Sequence, residues 1–510
     1  MPDASCKSCD RLHWGRLTAA LLAGALLPLA FSPFGFYPLA FISVAVLFFL
    51  WAGQSQKPAF WIGYAYGLGQ FGFGVSWLYA SFTLFGEAIA PVAALITAAF
   101  VAVVALYPAL AGLLVARLAR RQASVALLVA PFAWVLVEWL RGWLFGGFPW
   151  LNLGASQTDS PLGGVIPVLG EYGASLWVAA LAATLAWAGW KSFVARFHYR
   201  RLLLPIAVLL MSFGSGQALK DIDWVESNGE PLHIGMAQGN IPQMRKFDPD
   251  FLLLTLQRYM ALTDQMPDVD LVIWPETAIP DLIEDLPRFR ETLEQTARQR
   301  GFVMLVGAFD QDEAGRYFNT MQGIPESLGR YAKRHLVPFG EYLPLRGALE
   351  VFRGLIDIPM ADLSPGPIEQ ALPKINGHAA GVSICYEAAL SREIRRALPE
   401  AGFLVNASND SWFGDSFAPY QHLQIARVRT IEFARPMARA TNTGVSALID
   451  HQGRIIKNTA LNEIAWVVGE LQPMQGQTPF TRWGQWPVLT LALLGLLLGG
   501  LWSSRLCKEG

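Results

Sequence analysis

The 510-residue chain is 53% hydrophobic and only 15% charged, with a positive mean hydropathy, which is unusual for a purely soluble protein of this size. Its formal net charge of −1, without a run of Lys or Arg able to track phosphates, gives no ground for a nucleic-acid partner. The apolar excess is uneven: residues 12–217 and 486–502 hold long stretches almost free of charge, and the segment between them has soluble composition.

Crossing a hydrocarbon core of about 30 Å takes about 20 predominantly apolar residues as a helix. Seven segments before the soluble region fit, running approximately from Leu17 to Phe31, Tyr37 to Ala52, Phe60 to Phe82, Ile89 to Leu114, Val125 to Trp143, Val165 to Trp187 and Leu202 to Ala218. An eighth runs from Trp486 to Trp502. The first two are short and joined only by SPFGF, so a re-entrant hairpin is the alternative there. The expected organisation is a tail over 1–16, a seven-helix region over 17–218, a soluble domain over 229–475, a last span over 486–502 and a tail over 503–510.

Lys and Arg in short loops mark the cytoplasmic side. Lys7, Arg11 and Arg16 precede the first span, Lys57 follows the second, Arg117, Arg120 and Arg121 the fourth, Arg196, Arg200 and Arg201 the sixth, and Arg505 and Lys508 close the chain. The intervening loops are nearly free of them, Arg141 excepted. Both termini are therefore expected in the cytoplasm and the large domain outside, in the periplasm of a Gram-negative cell. No small-residue cleavage site marks the first span as a signal peptide. Cys6 and Cys9 form a lone CxxC in the first tail, a weak metal or redox signal, and Cys507 lies in the other. On this topology Cys385 is the only outer thiol.

Within the soluble region, short Val- and Ile-rich runs alternate with helical patterns, an α/β signature. Strands are expected at HIGMAQGNI from His233, LVIWPE from Leu271, FVMLVGAF from Phe302, AAGVSICYE from Ala379, GFLVNASND from Gly402 and TGVSALID from Thr443, with helices over Pro249–Asp264, Arg288–Arg300 and Tyr420–Arg435. Glu276 and Cys385 stand at strand ends, where catalytic residues of such folds concentrate. Taken singly, Glu276 reads as a turn residue, Cys385 as a small buried hydrophobe and Lys333 as a solvent-facing lysine.

Together they sit in four words in a telling order: WPET at Trp274–Thr277, KRHLVPFGEY at Lys333–Tyr342, CYE at Cys385–Glu387 and NASNDSWFGDS at Asn406–Ser416. These resemble the signature blocks of the nitrilase (carbon–nitrogen hydrolase) superfamily. QGNIPQ from Gln238, HLVPFGEYLPLR, the SWFGDS block, GFPWLNLG at Gly147–Gly154 and the fused spans resemble, more narrowly, the apolipoprotein N-acyltransferase family. The resemblance implies a polytopic α-helical membrane bundle of about eight helices carrying an extramembrane αββα sandwich, in a bacterial inner membrane. It implies a Glu276–Lys333–Cys385 triad, with Glu341, Tyr386 and Glu387 in support and Phe247 as a substrate contact where relatives carry Trp.

The residue types suit the chemistry. A thiol of free pKa about 8.5 needs a neighbouring base or cation. Glu276 would take its proton, with a pKa expected to be raised by desolvation, and Lys333 would hold the tetrahedral oxyanion. The implied reaction is ping-pong: Cys385 takes an acyl chain from a glycerophospholipid as a thioester, and the α-amine of an S-diacylglyceryl-cysteine on an apolipoprotein resolves it. Phe148, Trp150, Trp412 and Phe413 are aromatic candidates for the lipid entrance, although rings also gather at any membrane interface. Glu138, Arg141 and Glu171 in or near spans are functional candidates, and Glu138 with Arg141, three apart on one helix, also reads as a simple pair. No metal-ligand cluster or phosphate-cradling Gly loop appears, so no metal and no cofactor is expected. A membrane-tethered amidase releasing its acyl group to water, and a receptor or transporter on an inactive hydrolase scaffold, are the rival classes.

Overall fold

The computed structural model describes residues 14–84, 89–194, 200–338, 340–342 and 363–509. Cys6 and Cys9 lie outside the described residues. The chain divides into two compact units, one of Met1–Tyr79, Ala90–Asp223 and Arg482–Gly510 and the other of Ala80–Ile89 and Trp224–Thr481.

The first unit is helical: α1 (Trp14–Leu26), α2 (Pro38–Trp51), α3 (Gln56–Gly74), α4 (Leu78–Leu84, shared with the other unit), α5 (Ala90–Val104), α6 (Leu106–Ala119), α7 (Ala123–Arg141), α8 (Ile166–Val194), α9 (Arg200–Lys220) and a last helix, Trp486–Glu509. Helix occupies all eight expected segments, but among the described residues only five stretches are long and apolar enough to cross a membrane: Ala90–Ala119, Ala123–Arg141, Pro161–Ser192, Leu203–Lys220 and Trp486–Leu506. The expected count of eight exceeds this. Helices α1 and α2 are short, and α3 is diluted by glycines that serve packing instead of hydropathy. A Cβ at Gly69 would lie 2.0 Å from the Leu21 carbonyl oxygen of α1, and one at Gly63 would lie 2.4 Å from that of Pro108 on α6. Backbones that approach this closely are the usual use of small residues between membrane helices.

In the second unit two six-stranded sheets stack. One has the order β13-β2-β3-β4-β5-β6, built from Leu232–Gln238 (β2), Leu271–Leu282 (β3), Val303–Gln311 (β4), Tyr317–Ile324 (β5), Arg330–Ala332 (β6) and Ala465–Leu471 (β13). The other, β12-β11-β10-β9-β8-β7, comprises Lys374–Ile375 (β7), His378–Ile384 (β8), Ala401–Ser408 (β9), Met437–Thr441 (β10), Ala447–Ile449 (β11) and Ile455–Asn458 (β12). A small ribbon pairs β1 (Val225–Ser227) with β14 (Met474–Gly476).

Strand periodicity explains the layering. On β3, Leu271 and Ile273 join Val382, Ile384, Phe403 and Val405 between the sheets. Alternate residues Val272 and Trp274 point outward under Leu256 and Tyr259 of α10 (Pro249–Asp264) and Leu293 of α11 (Pro287–Arg300). On the other sheet Leu404 and Met437 are covered by Leu423, Ala426 and Phe433 of the helix Ala418–Phe433. Strands buried on both faces need continuous apolar runs, and these segments supply them. The result is an αββα sandwich.

Candidate active site

Strand β3 pairs with β4 in parallel until Trp274, where the register shifts before resuming at Ile279. Glu276 sits in that interruption, followed by Thr277 at φ 49°. Gly307 of β4 makes room for it, since a Cβ there would lie 2.1 Å from the Pro275 carbonyl oxygen. Cys385 follows the last residue of β8 and is itself left-handed, at φ 50°. A strained, non-glycine turn at a strand end is a feature that surrounding contacts must hold in place. Here Asn406 of β9 donates Nδ2 to the Cys385 carbonyl oxygen at 3.4 Å.

Glu276, Lys333 and Glu341 meet in the interior. The Lys333 ammonium lies 3.1 Å from Glu276 Oε1 and 2.9 Å from Glu341 Oε1, and its side chain is 1% exposed. Asn319 of β5 donates to both carboxylates, at 2.8 and 3.1 Å. The Asn409 amide donates to Glu276 Oε2 at 2.9 Å, and that of Val337 to Glu341 Oε2 at 2.9 Å. Burial alone would raise the Glu276 carboxyl, but Lys333 and then Lys246 outweigh it and hold the group below its ordinary value. The expectation of a raised Glu276 is thus overturned, because the lysines supply more than desolvation removes. Burial likewise works against charge on Lys333, yet Glu276 and Glu341 keep it protonated far above the usual lysine range.

Cys385 is half-buried, and its thiol is pushed up to about 12 by burial and by the Glu276 carboxylate, against the pull of Lys333. The resting group is therefore a thiol, and its proton has to leave as the sulfur attacks.

Glu387 is the clamp of the site. Its Oε2 accepts from the Ile384 amide at 2.7 Å and from the Tyr331 hydroxyl at 2.9 Å, and its Oε1 from the amides of Arg334 and His335 at 2.7 and 3.1 Å. One buried carboxylate thus ties the turn that carries Cys385 to the loop that carries Lys333. Tyr386 is half-buried with its ring stacked on His335, centroids 6.2 Å apart. Phe247 is exposed and lies beside Phe309, 6.2 Å between rings. Trp412 and Phe413 are half-buried, the latter edge-on to His422.

The bundle aromatics behave differently. Trp150 is 1% exposed, packed on Trp77 and stacked on Phe148; Phe148 also meets Phe100 edge-on. Glu138 and Arg141 are 3.9 Å apart. Their shorter contacts run to the segment after their own helix: Arg141 donates to the Phe148 carbonyl at 2.8 Å, to that of Trp150 and to Asn152 Oδ1 at 2.8 Å, and Glu138 accepts from the Leu153 amide at 2.7 Å.

The residue reading missed Asn319, Asn409, Lys246 and a buried group behind Cys385. In that group Asp410 is 2.9 Å from both His422 Nδ1 and Arg439 Nη2, Ser408 donates to Asp410 at 2.8 Å, and His422 also hydrogen bonds to the main chain of Cys385. Asn409 and Asp410 lie inside the NASNDSWFGDS word, and Lys246 adjoins Phe247, so each had a signal beside it. Asn319 had none. No group of three or more His, Cys, Asp or Glu among the described residues could hold a metal ion.

A buried carboxylate–lysine pair beside a cysteine at a strand end, on an αββα sandwich, defines a carbon–nitrogen hydrolase domain, and the family model of that description matches residues 233–479. The model of the apolipoprotein N-acyltransferase N-terminal domain matches residues 23–184. The apolipoprotein N-acyltransferase of Methylococcus capsulatus is 45% identical over 88% of this chain and 89% of its own length. That of Coxiella burnetii is 38% identical over 90% and 94%, and that of Photobacterium profundum 35% over 95% and 94%. The chain belongs to the apolipoprotein N-acyltransferase family and is an acyltransferase with a nitrilase-type domain.

Proposed function

We propose that this chain moves an acyl chain from a membrane glycerophospholipid to the α-amine of the N-terminal S-diacylglyceryl-cysteine of apolipoproteins, through a thioester on Cys385. The observation that carries the reading is the Lys333 ammonium shared between two buried carboxylates beside a thiol that rests protonated. When Cys385 attacks the ester carbonyl, its proton passes to Glu276. The Glu276–Lys333 pairing is then weakened, and Lys333, still held by Glu341, turns its charge to the oxyanion of the tetrahedral adduct. Glu276 returns the proton to the departing lysophospholipid alkoxide. In the second half the amine attacks the thioester, the C–S bond breaks and Glu276 carries a proton from nitrogen to sulfur.

The eight-span count, which rests on the apolar segments, and a periplasmic catalytic domain with both termini cytoplasmic in a bacterial inner membrane, which rests on the Lys and Arg of the short loops, belong to the same proposal. Trp412 and Phe247 remain the proposed substrate contacts of the catalytic unit. The test is mass spectrometry of purified protein incubated with phospholipid alone. It should gain one acyl mass, retain it, and discharge it to a diacylglyceryl-cysteine peptide only when the α-amine is free. Loss of the acyl group as fatty acid, equally fast with and without peptide, would overturn the transferase reading and leave a tethered hydrolase.

A further inference from the structure

Lys246 stands in the loop between β2 and α10, is 2% exposed, and donates Nζ to the main-chain carbonyl of Glu276 at 3.1 Å. Its electrostatic neighbours are the Glu276 carboxylate and the Cys385 thiol. Lys333, bonded to the Oε1 atoms of Glu276 and Glu341, is the other cation on that carboxylate, and Arg245 and Asp248 are the charged residues next to Lys246 in sequence. The two buried lysines are thus differently placed. Lys333 is fixed between carboxylates. Lys246 meets a carbonyl oxygen, and burial brings its pKa down to about 7.

Amine transfer poses a proton problem that the Glu276 relay does not solve. An acceptor arriving as an α-ammonium loses two protons on becoming an amide. One returns to the Cys385 sulfur by way of Glu276, which leaves the second without a taker. An attacking water carries no such surplus proton before attack.

We propose that Lys246 takes the first proton from the incoming α-ammonium, a role that rests on the acyl-transfer reading above. The neutral Lys246 amine becomes an ammonium, and the freed α-amine forms the C–N bond as the C–S bond breaks. Glu276 passes the remaining surplus proton to sulfur, and Lys246 gives its proton to water once the product has left. With Lys246 neutral, Glu276, Glu341 and Lys333 together bear one net negative charge. That field draws an ammonium inward and stabilises the proton on arrival. A free α-amine has a pKa of about 7.7–8.0, so roughly one in ten is neutral at pH 7, and Lys246 is matched to the remainder.

The test separates the two half-reactions. Preformed thioester is mixed with diacylglyceryl-cysteine peptide across pH 6.5–9, for wild type, Lys246→Met and Lys246→Arg. Arginine can still donate to the Glu276 carbonyl, but it cannot give up its proton. Both variants should discharge about tenfold more slowly at pH 7, the gap closing to about twofold by pH 9 as the acceptor itself becomes neutral. Thioester formation from phospholipid should fall by a clearly smaller factor. In wild type the discharge rate should follow an ionisation near that of Lys246 and not that of the acceptor, a check that needs no variant. Wild-type discharge by Lys246→Arg at pH 7, equal slowing of both halves with an unchanged pH profile, or a wild-type profile that tracks the acceptor would each overturn the proposal. Wild type that forms no thioester, or loses it to water, overturns the acyl-transfer reading instead.

Discussion

Buried charge occurs in both units, and the fold handles it in two ways. In the bundle, Arg141 directs its guanidinium to two main-chain carbonyls and Asn152, and Glu138 accepts from the Leu153 amide; both partners tie α7 to the segment that follows it. In the catalytic unit, the Lys333 ammonium bonds to Glu276, 57 residues away in sequence, and to Glu341, next to a thiol on the opposite sheet. Charges satisfied by nearby backbone make a local clamp. Charges satisfied by one another, from separate elements and beside a nucleophile, leave each group able to exchange its partner for substrate. Intramembrane ionisable groups are functional candidates by default, and the bundle pair is a case where architecture accounts for them.

The comparison is broken most directly at Lys333. Lys333→Met leaves two carboxylates facing each other and removes the proposed oxyanion donor, so turnover should fall by roughly 10²–10³ or more, measured as N-acylated peptide formed per minute. Cys385→Ala should abolish both the acyl mass and turnover. A Lys333→Met protein with turnover near wild type would place Lys333 with Arg141 as a clamp. Next in size is the reactivity of the resting thiol. With Cys385 pushed up to about 12, its alkylation by iodoacetamide at pH 8 should be more than about a hundredfold slower than that of an ordinary thiol of pKa about 8.5, still rising with pH at 9. A plateau below pH 8 would mean a standing thiolate and a different division of labour with Glu276.

Arg141→Met should act in the opposite sense. Removing one partner of a buried pair typically costs about 3–5 kcal/mol, read as a lower melting temperature in detergent, while turnover per folded molecule stays near wild type. Lost turnover in protein of undiminished stability would give the bundle pair a chemical role.

These differences were only partly legible in the sequence. Strands with continuous apolar runs, such as those from Leu271 and Ala379, announce themselves by composition, and Pro249–Asp264 is helical from its Pro to its final turn as the pattern indicates. Strands β5 and β10 do not, because FNTMQ and MARAT mix polar residues whose partners, such as Glu276 for Asn319 and Asp410 for Arg439, come from remote segments. The same holds in the site. Glu276, Lys333 and Cys385 are visible through the words around them, whereas the depression of Glu276 depends on two lysines whose proximity only folding creates. The burial of Trp150 against Trp77 was not legible either, because a Trp in a Gly–Phe–Pro–Trp loop carries no local signal of its packing partner.

Asp410 allows the smallest and most specific test, because it resembles the active-site cluster in chemistry and the bundle pair in purpose. Its carboxyl is buried, which by itself would raise it, but Arg439 and His422 hold it well below the ordinary carboxylate range. A carboxylate depressed in the folded state contributes stability above its unfolded value, near 3.8, and loses that contribution as pH falls through the folded value. His422, whose pKa is lowered chiefly by burial and then by Arg439, resists protonation, so its share is lost as pH falls below about 6.5, before that of Asp410. Asp410→Asn should therefore be less stable than wild type at pH 7, and the gap should narrow only below about pH 4, where wild type begins to give up the same charge. Urea unfolding of both proteins at stepped pH measures the gap. Turnover of the variant at pH 7 should drop less than that of Lys333→Met, since Asp410 acts on Cys385 by its charge and through its neighbours Ser408 and His422, without a bond of its own to the thiol. A stability gap independent of pH would mean that the network holds by shape alone; a turnover loss as large as that of Lys333→Met would move Asp410 from support into the reaction itself.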